Sequence, residues 1–292
     1  MTEVIMRVQH LSKDFATRGR GALSGKPGVF RAVDDVSFTV DAGRTLAIVG
    51  ESGSGKSTTA RMAAKLMDAT EGAIEFDGED VTAARGSRLA RFRTDVQVVF
   101  QDPFSSLNPR HTVQRIITAP LDYQRKAIPG GRRAFAASLM ERVGLNPDHL
   151  QRYPAQFSGG QAQRIGIARA LAVSPRLVVC DEAVSALDVS VQALVINLLR
   201  ELQRDLGLSY IFIAHDLAVV RQIADTVAVM HQGRIVEHGE RDAVFDDPRD
   251  EYTKQLLAAV PRIRPEWEHE RAALIASEAA AAAAEDTASA HA

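Results

Sequence analysis

A glycine-rich segment followed by lysine and serine is the first feature of the sequence that predicts chemistry. Gly50, Gly55, Lys56 and Ser57 fit the spacing G-x-x-x-x-G-K-[ST] within GESGSGKST. A strand-like run precedes this segment and a helical pattern follows it, so free backbone N–H groups should face an anion. We expect Lys56 to bridge the β- and γ-phosphates of a nucleotide and the Ser57 hydroxyl to bind Mg²⁺. The predicted phosphate-binding loop, or P-loop, comprises Gly50, Glu51, Ser52, Gly53, Ser54, Gly55, Lys56, Ser57 and Thr58.

Two adjacent carboxylates follow an apolar run at residues 177–180. Because bare carboxylates are costly to bury, Asp181 and Glu182 are expected at the carboxyl edge of a sheet, where the P-loop also lies. Asp181 is the candidate partner of Mg²⁺, through a water molecule, and Glu182 is the candidate general base that polarises the attacking water. On its own the pattern also fits a helix cap. Cys180 is interpreted as a buried core residue.

A pair of adjacent glycines, in FSGGQ at residues 157–161, precedes a helical pattern. Ser158 could cap this helix, and the glycines leave its first N–H groups unobstructed, which predicts a second phosphate cradle. One chain with one P-loop does not need this cradle for its own nucleotide, so the γ-phosphate held by another copy is its natural ligand. Taken alone, the motif also fits an ordinary capped helix.

A sheet must position these residues. Four short segments rich in β-branched residues, with helical patterns between several of them, predict a parallel α/β sheet. These segments are residues 45–49, 96–100, 177–180 and 210–214. Residues 4–11 and 32–40 predict two further strands, separated by a loop at 17–31. A helix from an N-cap at Asp188 to a stop at Gly207 is expected to pack on the sheet.

The strand signal disappears between residues 103 and 173, where helical patches predict a helical insertion. We expect prolines and glycines to break these patches, at Pro109, Pro120, Pro129, Gly130, Gly131 and Pro147. The predicted division of the chain is then 1–102 and 174–238 for the two parts of the core, 103–173 for the helical insertion, 239–265 for an extension, and 266–292 for a tail. The alanine-rich tail is expected to be disordered or loosely helical.

The composition excludes several classes of function. Lys and Arg total 35 and Asp and Glu total 37, so the basic excess that nucleic-acid binding would require is missing. The single cysteine rules out an intrachain disulfide and a cysteine-rich metal site, which predicts a reducing compartment. The longest apolar runs are strand-sized, so we do not expect the chain to cross a membrane by itself.

Five motifs, GESGSGKST, FSGGQ, LVVCDE, SALD and IFIAHD, together resemble the nucleotide-binding subunits of ABC transporters over residues 4–265. The resemblance implies an α/β fold, with a RecA-like P-loop NTPase core of mostly parallel sheet, an antiparallel β subdomain, a helical insertion and a short C-terminal extension. It implies a head-to-tail pair of identical or similar ATPase subunits. ATP would lie between the P-loop of one subunit and the partner's second cradle, which is formed by Ser158, Gly159, Gly160 and Gln161.

The same resemblance implies roles for further residues. Phe15 would stack on adenine, and Asp188 of SALD would join the nucleotide-binding set. Gln101 would sense Mg²⁺ and the lytic water, and His215 would contact the γ-phosphate. Without the resemblance, a lone histidine after a strand would be read as a capped or solvated residue.

Three longer segments resemble one branch of this family, the oligopeptide and dipeptide importer ATPases, whose relatives also import nickel and glutathione. They are VVFQDPFSSLNPR at 98–110, CDEAVSALDVSVQ at 180–192 and DDPRDEYTKQLLAAVP at 246–261. The sequence departs from that branch in two places: Ala183 replaces its usual proline, and Asp250 with Glu251 replaces its usual His-Pro. The first change should leave Asp181 and Glu182 in place.

The resemblance therefore implies an ATP-hydrolysing subunit that powers uptake of oligopeptides or dipeptides. Its expected partners are two membrane permease subunits, a second ATPase subunit and, indirectly, an extracytoplasmic substrate-binding protein, with the chain peripheral on the cytoplasmic face of the membrane. The alternatives are another cargo, such as nickel or glutathione, and a soluble ABC-type ATPase acting in repair, translation or an enzyme complex. A P-loop kinase or GTPase is disfavoured, because neither needs FSGGQ or a histidine after the fourth core strand.

Overall fold

The computed structural model describes residues 3–17, 28–128 and 130–259. The strands in these residues are β1 (Val4–Thr17), β2 (Gly28–Asp41), β3 (Thr45–Val49), β4 (Glu71–Phe76), β5 (Glu79–Asp80), β6 (Val96–Val99), β7 (Leu177–Asp181), β8 (Ser209–Ile213), β9 (Thr226–His231) and β10 (Arg234–Glu240). The α-helices are α1 (Lys56–Ala63), α2 (Gly86–Asp95), α3 (Pro103–Ser106), α4 (Val113–Tyr123), α5 (Arg132–Arg142), α6 (Gly159–Leu171), α7 (Val189–Leu206), α8 (Leu217–Ile223), α9 (Arg241–Asp246) and α10 (Glu251–Ala258).

The central sheet has the strand order β10-β9-β3-β8-β7-β6, and all pairs in it are parallel except β10 with β9. Strands β3, β7 and β8 are buried at every position, which explains why they read as continuous apolar runs. The predicted α/β fold with a mostly parallel sheet is confirmed. The sequence analysis did not identify β9 and β10, although β9 pairs directly with β3.

A second, antiparallel sheet has the order β2-β1-β4-β5. Its two long strands correct the predicted loop at 17–31, because β1 continues to Thr17 and β2 already begins at Gly28. The pairing of Phe15 with Phe30, and a salt bridge from Arg31 Nε to Asp14 Oδ1 at 2.8 Å, extend the ladder into this polar, glycine-bearing stretch. Residues 18–27 of the predicted loop lie outside the described part.

The hydrophobic core that joins the antiparallel sheet to α1 and the central sheet fixes the position of the P-loop helix. Its most deeply buried large side chains include Met6, Leu11, Leu46, Ile48, Met62 and Ile74. Burying such side chains contributes roughly 1.5–3 kcal/mol each. Helix α1 therefore has a fixed position between the two sheets.

The described residues of the segment between β6 and β7 form helices joined by turns and loops, with no strand among them. It contains α3 to α6 and two short 3-10 helices, Pro147–Gln151 and Pro154–Gln156. The predicted break at Pro120 is wrong, because this residue lies inside α4. The missing N–H leaves only the Ile116 carbonyl without its helical partner, and buried Val113, Ile117 and Leu121 hold the helix on its neighbours. Pro129 lies outside the described residues.

Helix α7 follows the prediction. The Asp188 side chain accepts a hydrogen bond from the Val191 N–H at 2.9 Å, and Gly207 ends the helix in the left-handed conformation with φ 66°. The predicted boundary at residue 239 falls inside β10. The described residues up to Gln255 form one compact unit, and the predicted tail at 266–292 lies outside the described part. Within the described ranges, no helix combines the length and apolar character needed to span a membrane.

Candidate nucleotide-binding and hydrolysis site

Four neighbouring parallel strands, β3, β8, β7 and β6, place their carboxyl ends at the same edge of the central sheet. The P-loop follows β3, and His215 lies just beyond β8. Asp181 and Glu182 stand at the end of β7, and Gln101 follows β6. Ligands of α/β proteins bind at this edge. The topology therefore brings together predicted residues that are up to 165 positions apart in the sequence.

The backbone of the P-loop explains its glycines. Gly50 has φ 146°, and a Cβ placed on it would lie 2.1 Å from the Met230 carbonyl oxygen, so the neighbouring strand excludes any side chain there. Gly55 is the N-cap of α1, with φ 102°. In the described residues no side chain caps α1 and no acidic residue occupies its first turn, so its first N–H groups remain for an anion.

Lys56 lies folded back on the P-loop. Its Nζ donates to the Gly50 carbonyl at 2.8 Å and to the Glu51 carbonyl at 2.7 Å. Burial lowers the pKa of Lys56, although neighbouring carboxylates act in the opposite direction. An entering phosphate would offer this ammonium charged acceptors in place of two neutral carbonyls, which makes stronger hydrogen bonds.

Ser57 and Asp181 form the oxygen-rich part of the site. The Ser57 hydroxyl donates to Asp181 Oδ1 at 2.7 Å, and Arg61 Nε lies 3.5 Å from Oδ2. A hydroxyl and a carboxylate are hard oxygen donors of the kind Mg²⁺ prefers when phosphates supply its remaining ligands. The described ranges hold no group of three or more His, Cys, Asp or Glu residues that could bind a metal ion.

Glu182 is the centre of a polar cluster. Gln101 Nε2 donates to its Oε2 at 2.9 Å, and His215 Nδ1 lies 3.9 Å from the same oxygen. Gln101 Nε2 also lies 3.3 Å from the Ser185 hydroxyl. Glu182 itself has a left-handed backbone with φ 52°, a conformation that costs free energy in a residue with a side chain and is often retained at functional sites. Two of the predicted catalytic side chains, Gln101 and His215, therefore lie next to one carboxylate oxygen of the third, Glu182.

The start of α6 has the predicted cap. The Ser158 hydroxyl accepts from the Gln161 N–H at 3.4 Å, and the Gln161 side-chain oxygen accepts from the Ser158 N–H at 3.0 Å. A Cβ added to Gly160 would lie 2.3 Å from Val191 Cγ1, whereas one added to Gly159 would meet its nearest neighbour, Leu187, at 3.6 Å. The second cradle is thus packed against the segment that contains Asp188.

Two predicted nucleotide contacts stay predictions. Phe15 is half-buried on β1, and Lys13 Nζ lies 5.5 Å from the centroid of its ring. The Asp188 carboxylate caps α7, and hydrogen bonds from the Ser190 hydroxyl and the Val191 N–H lower its pKa.

Cys180 is fully buried as expected, and burial raises the pKa of its thiol to about 12.

The sequence analysis missed three residues that contact the site. Arg61 lies four positions after Ser57, so helical spacing along α1 could have indicated it. The buried Gln163 donates from Nε2 to the Phe100 carbonyl at 3.3 Å, next to Gln101. Tyr252 accepts, through its hydroxyl, a hydrogen bond from the P-loop N–H of residue 51 at 3.1 Å. No local pattern could have predicted the last two contacts.

Two known families match parts of the chain. The family described as "ABC transporter" matches residues 33–185, and the family described as "Oligopeptide/dipeptide transporter, C-terminal region" matches residues 236–287. The second match begins in β10 and includes α9 and α10.

Individual relatives cover most of the chain. It is 47% identical over 273 residues to the oligopeptide transport ATP-binding protein OppF of Bacillus subtilis, covering 93% of this chain and 87% of that protein. It is 47% identical over 277 residues to the glutathione import ATP-binding protein GsiA of Escherichia coli, covering 94% of this chain and 44% of that protein. Among solved structures, the dimeric post-hydrolysis state of the ATP-binding cassette MJ0796 bound to ADP and Pi matches with a TM-score of 0.71 and 26% identity, over 81% of this chain and 99% of that one.

Proposed function

This chain belongs to the ABC transporter family of ATP-binding proteins, and we propose that it is the ATP-hydrolysing subunit that powers import of short peptides. The observation that carries the proposal is the convergence of the P-loop, Asp181, Glu182, Gln101 and His215 at one sheet edge. An anion cradle beside a carboxylate that can polarise water is what hydrolysis of a nucleoside triphosphate needs.

In the proposed reaction a water molecule attacks the γ-phosphorus of ATP while the bond to the ADP oxygen breaks. Glu182 accepts the proton of this water, and Gln101 and His215 hold the carboxylate and the γ-phosphate in place. Lys56 leaves the two P-loop carbonyls for the β- and γ-phosphates. Ser57 and Gln101, and Asp181 through a water molecule, would hold Mg²⁺, which would supply positive charge beside the phosphates.

The second cradle suggests that the active unit is a pair. Ser158, at the cap of α6, is exposed, and the capping box uses the N–H groups of Ser158 and Gln161, which leaves those of Gly159 and Gly160 at the start of the helix for an anion. We propose that this cradle binds the γ-phosphate held by a second, identical or similar ATPase subunit in a head-to-tail dimer. Closure of that pair on ATP would drive two membrane permease subunits from the cytoplasmic face, with a substrate-binding protein delivering the cargo outside.

The proposed cargo is a short peptide. OppF is named for oligopeptide transport and GsiA for import of glutathione, which is itself a tripeptide. The C-terminal match at 236–287 supports the same class. Because the cargo would be selected by the permeases and the binding protein, residues of this chain do not distinguish among peptides.

Affinity purification of the tagged chain from detergent-solubilised membranes tests the proposal. We expect two polytopic permeases to copurify, together with a second ATPase subunit if the pair is made of two different chains. The complex, reconstituted in vesicles, should accumulate a labelled tripeptide in an ATP-dependent manner. Recovery of the chain without any polytopic membrane protein would contradict the importer proposal, and uptake of Ni²⁺ but not of peptides would contradict the cargo.

A further inference from the structure

We propose that Tyr252, on helix α10, is a positioning residue that holds the P-loop for ATP binding. Its hydroxyl accepts a hydrogen bond from the Glu51 N–H at 3.1 Å. Glu51 is the second residue of the P-loop, and its amide lies at the opposite end of the loop from the N–H groups at the start of α1. Tyr252 and a bound phosphate therefore do not compete for the same donors. The inference extends the proposed function, because it rests on ATP binding at this loop.

The start of α10 is fixed firmly enough to place a hydroxyl accurately. The Glu237 carboxylate on β10 accepts from the N–H groups of Arg249 and Asp250 at 2.8 and 3.1 Å. The Asp250 side chain in turn accepts from the Tyr252 N–H at 2.9 Å, which caps the helix. Thr253, the next residue, is only 1% exposed. Asp250, which stands where peptide-importer ATPases usually have the histidine of His-Pro, thus caps the start of α10.

The Tyr252 ring rests on the strand that borders the P-loop. Its centroid lies 3.9 Å from that of His231, the last residue of β9. The preceding residue, Met230, has the carbonyl that excludes a side chain from Gly50. Ring and hydroxyl of Tyr252 therefore connect the end of β9 to the first two residues of the P-loop.

The contact gains importance when ATP binds. In the present structure the Glu51 carbonyl accepts from Lys56 Nζ and from the Ser54 N–H within the loop, and the Glu51 N–H donates to Tyr252. When Lys56 moves to the phosphates, the Ser54 bond within the loop remains, and Tyr252 holds this residue from outside the loop. Without that hydroxyl the loop must be ordered at the expense of binding free energy, so the loss appears in nucleotide affinity.

Removal of the hydroxyl alone tests the proposal. In the full-length chain, Tyr252→Phe keeps the ring on His231 and should weaken binding of a fluorescent ATP analogue by about twofold to tenfold, the range expected for one neutral hydrogen bond. The KM for ATP should rise by the same factor while kcat stays near the wild-type value, because Tyr252 does not touch the reacting atoms. The matched control is Tyr123→Phe, at a tyrosine that is 86% exposed on α4.

Three outcomes are distinguishable. Weaker ATP binding by Tyr252→Phe with an unchanged melting temperature, and wild-type binding by Tyr123→Phe, supports the positioning role. Wild-type affinity in Tyr252→Phe, or a fall in kcat without a rise in KM, overturns it while leaving ATP hydrolysis by the chain intact. Failure of the wild-type chain itself to bind ATP would overturn the proposed function instead.

Discussion

At the scale of single residues, the site is organised around one carboxylate oxygen. Glu182 Oε2 accepts from Gln101 at 2.9 Å and lies 3.9 Å from His215 Nδ1. A carboxylate placed between an amide donor and a histidine is oriented before the substrate arrives, which reduces the cost of aligning the attacking water. Asp181, one residue earlier, turns towards Ser57 and Arg61 instead. Adjacent carboxylates thus have separate partners, as their separate predicted roles require.

We expect Glu182→Gln to bind ATP with wild-type affinity and to hydrolyse it roughly 10²–10⁴ times more slowly, because the amide cannot accept the proton of water. The variant should also accumulate a closed dimer in the presence of ATP. Phosphate release, nucleotide binding and size-exclusion chromatography measure the three effects. Glu201→Gln, the same chemical change at an exposed position on α7, should leave all three unchanged. Unaltered hydrolysis by Glu182→Gln would refute the assignment of the base.

At the scale of elements, the contact between α6 and α7 separates two functions of the glycine pair. Gly160→Ala places a methyl group 2.3 Å from Val191 Cγ1, so we expect overpacking to lower stability by roughly 1–3 kcal/mol. Gly159→Ala meets its nearest atom at 3.6 Å and should unfold at the wild-type temperature or slightly above. Yet it should lower ATPase activity, since the new methyl group stands in the proposed cradle. Thermal unfolding and ATPase assays distinguish the two variants.

A double variant provides the control for this prediction. Val191→Ala removes the methyl groups that Gly160→Ala would contact, so the combined change should be more stable than the sum of the two single changes predicts. Strict additivity would show that Gly160 and Val191 do not meet, and would remove the proposed link between the second cradle and the segment of Asp188.

Elements of this fold differ in how far the sequence predicts them. Buried strands β3, β7 and β8 are continuous apolar runs, and α7 carries both a cap and a stop, so local signals suffice. Strand β9 has a comparable apolar run at Val227–Met230 that was overlooked, whereas β10 is only half-buried and carries charged residues, so it has no clear pattern. The motifs predicted the side chains of the catalytic cluster. The contact of Tyr252 with Glu51 cannot be predicted from local sequence patterns, because it joins positions 201 residues apart.

At the scale of the whole molecule, the P-loop and the exposed cradle in the described part of each chain would form two composite sites in the proposed pair. Within the same chain, Gly159 lies near Leu187 and Gly160 packs against Val191, on either side of Asp188 in the segment that follows β7. Binding of a partner's γ-phosphate could therefore change the position of the segment that follows the chain's own Glu182. A mixture of complementary defective chains can test this arrangement.

Lys56→Ala removes the phosphate-binding ammonium, and Gly159→Asp puts a carboxylate into the cradle, so each chain should be inactive alone. If sites are composite, a mixed dimer has one site with both defects and one site with none. An equal mixture should then regain about one quarter of the wild-type rate per chain, because half of the dimers are mixed and each has one intact site. Lys56→Ala mixed with the double variant Lys56→Ala/Gly159→Asp has no intact P-loop and should stay inactive. Absence of recovery in the first mixture, with a wild-type chain that is active alone, would contradict the shared site. If the wild-type chain is active only with a similar second ATPase, a P-loop defect in one subunit and a cradle defect in the other fall on the same composite site and should leave the second site active. Both defects in one subunit fall on different sites and should abolish activity.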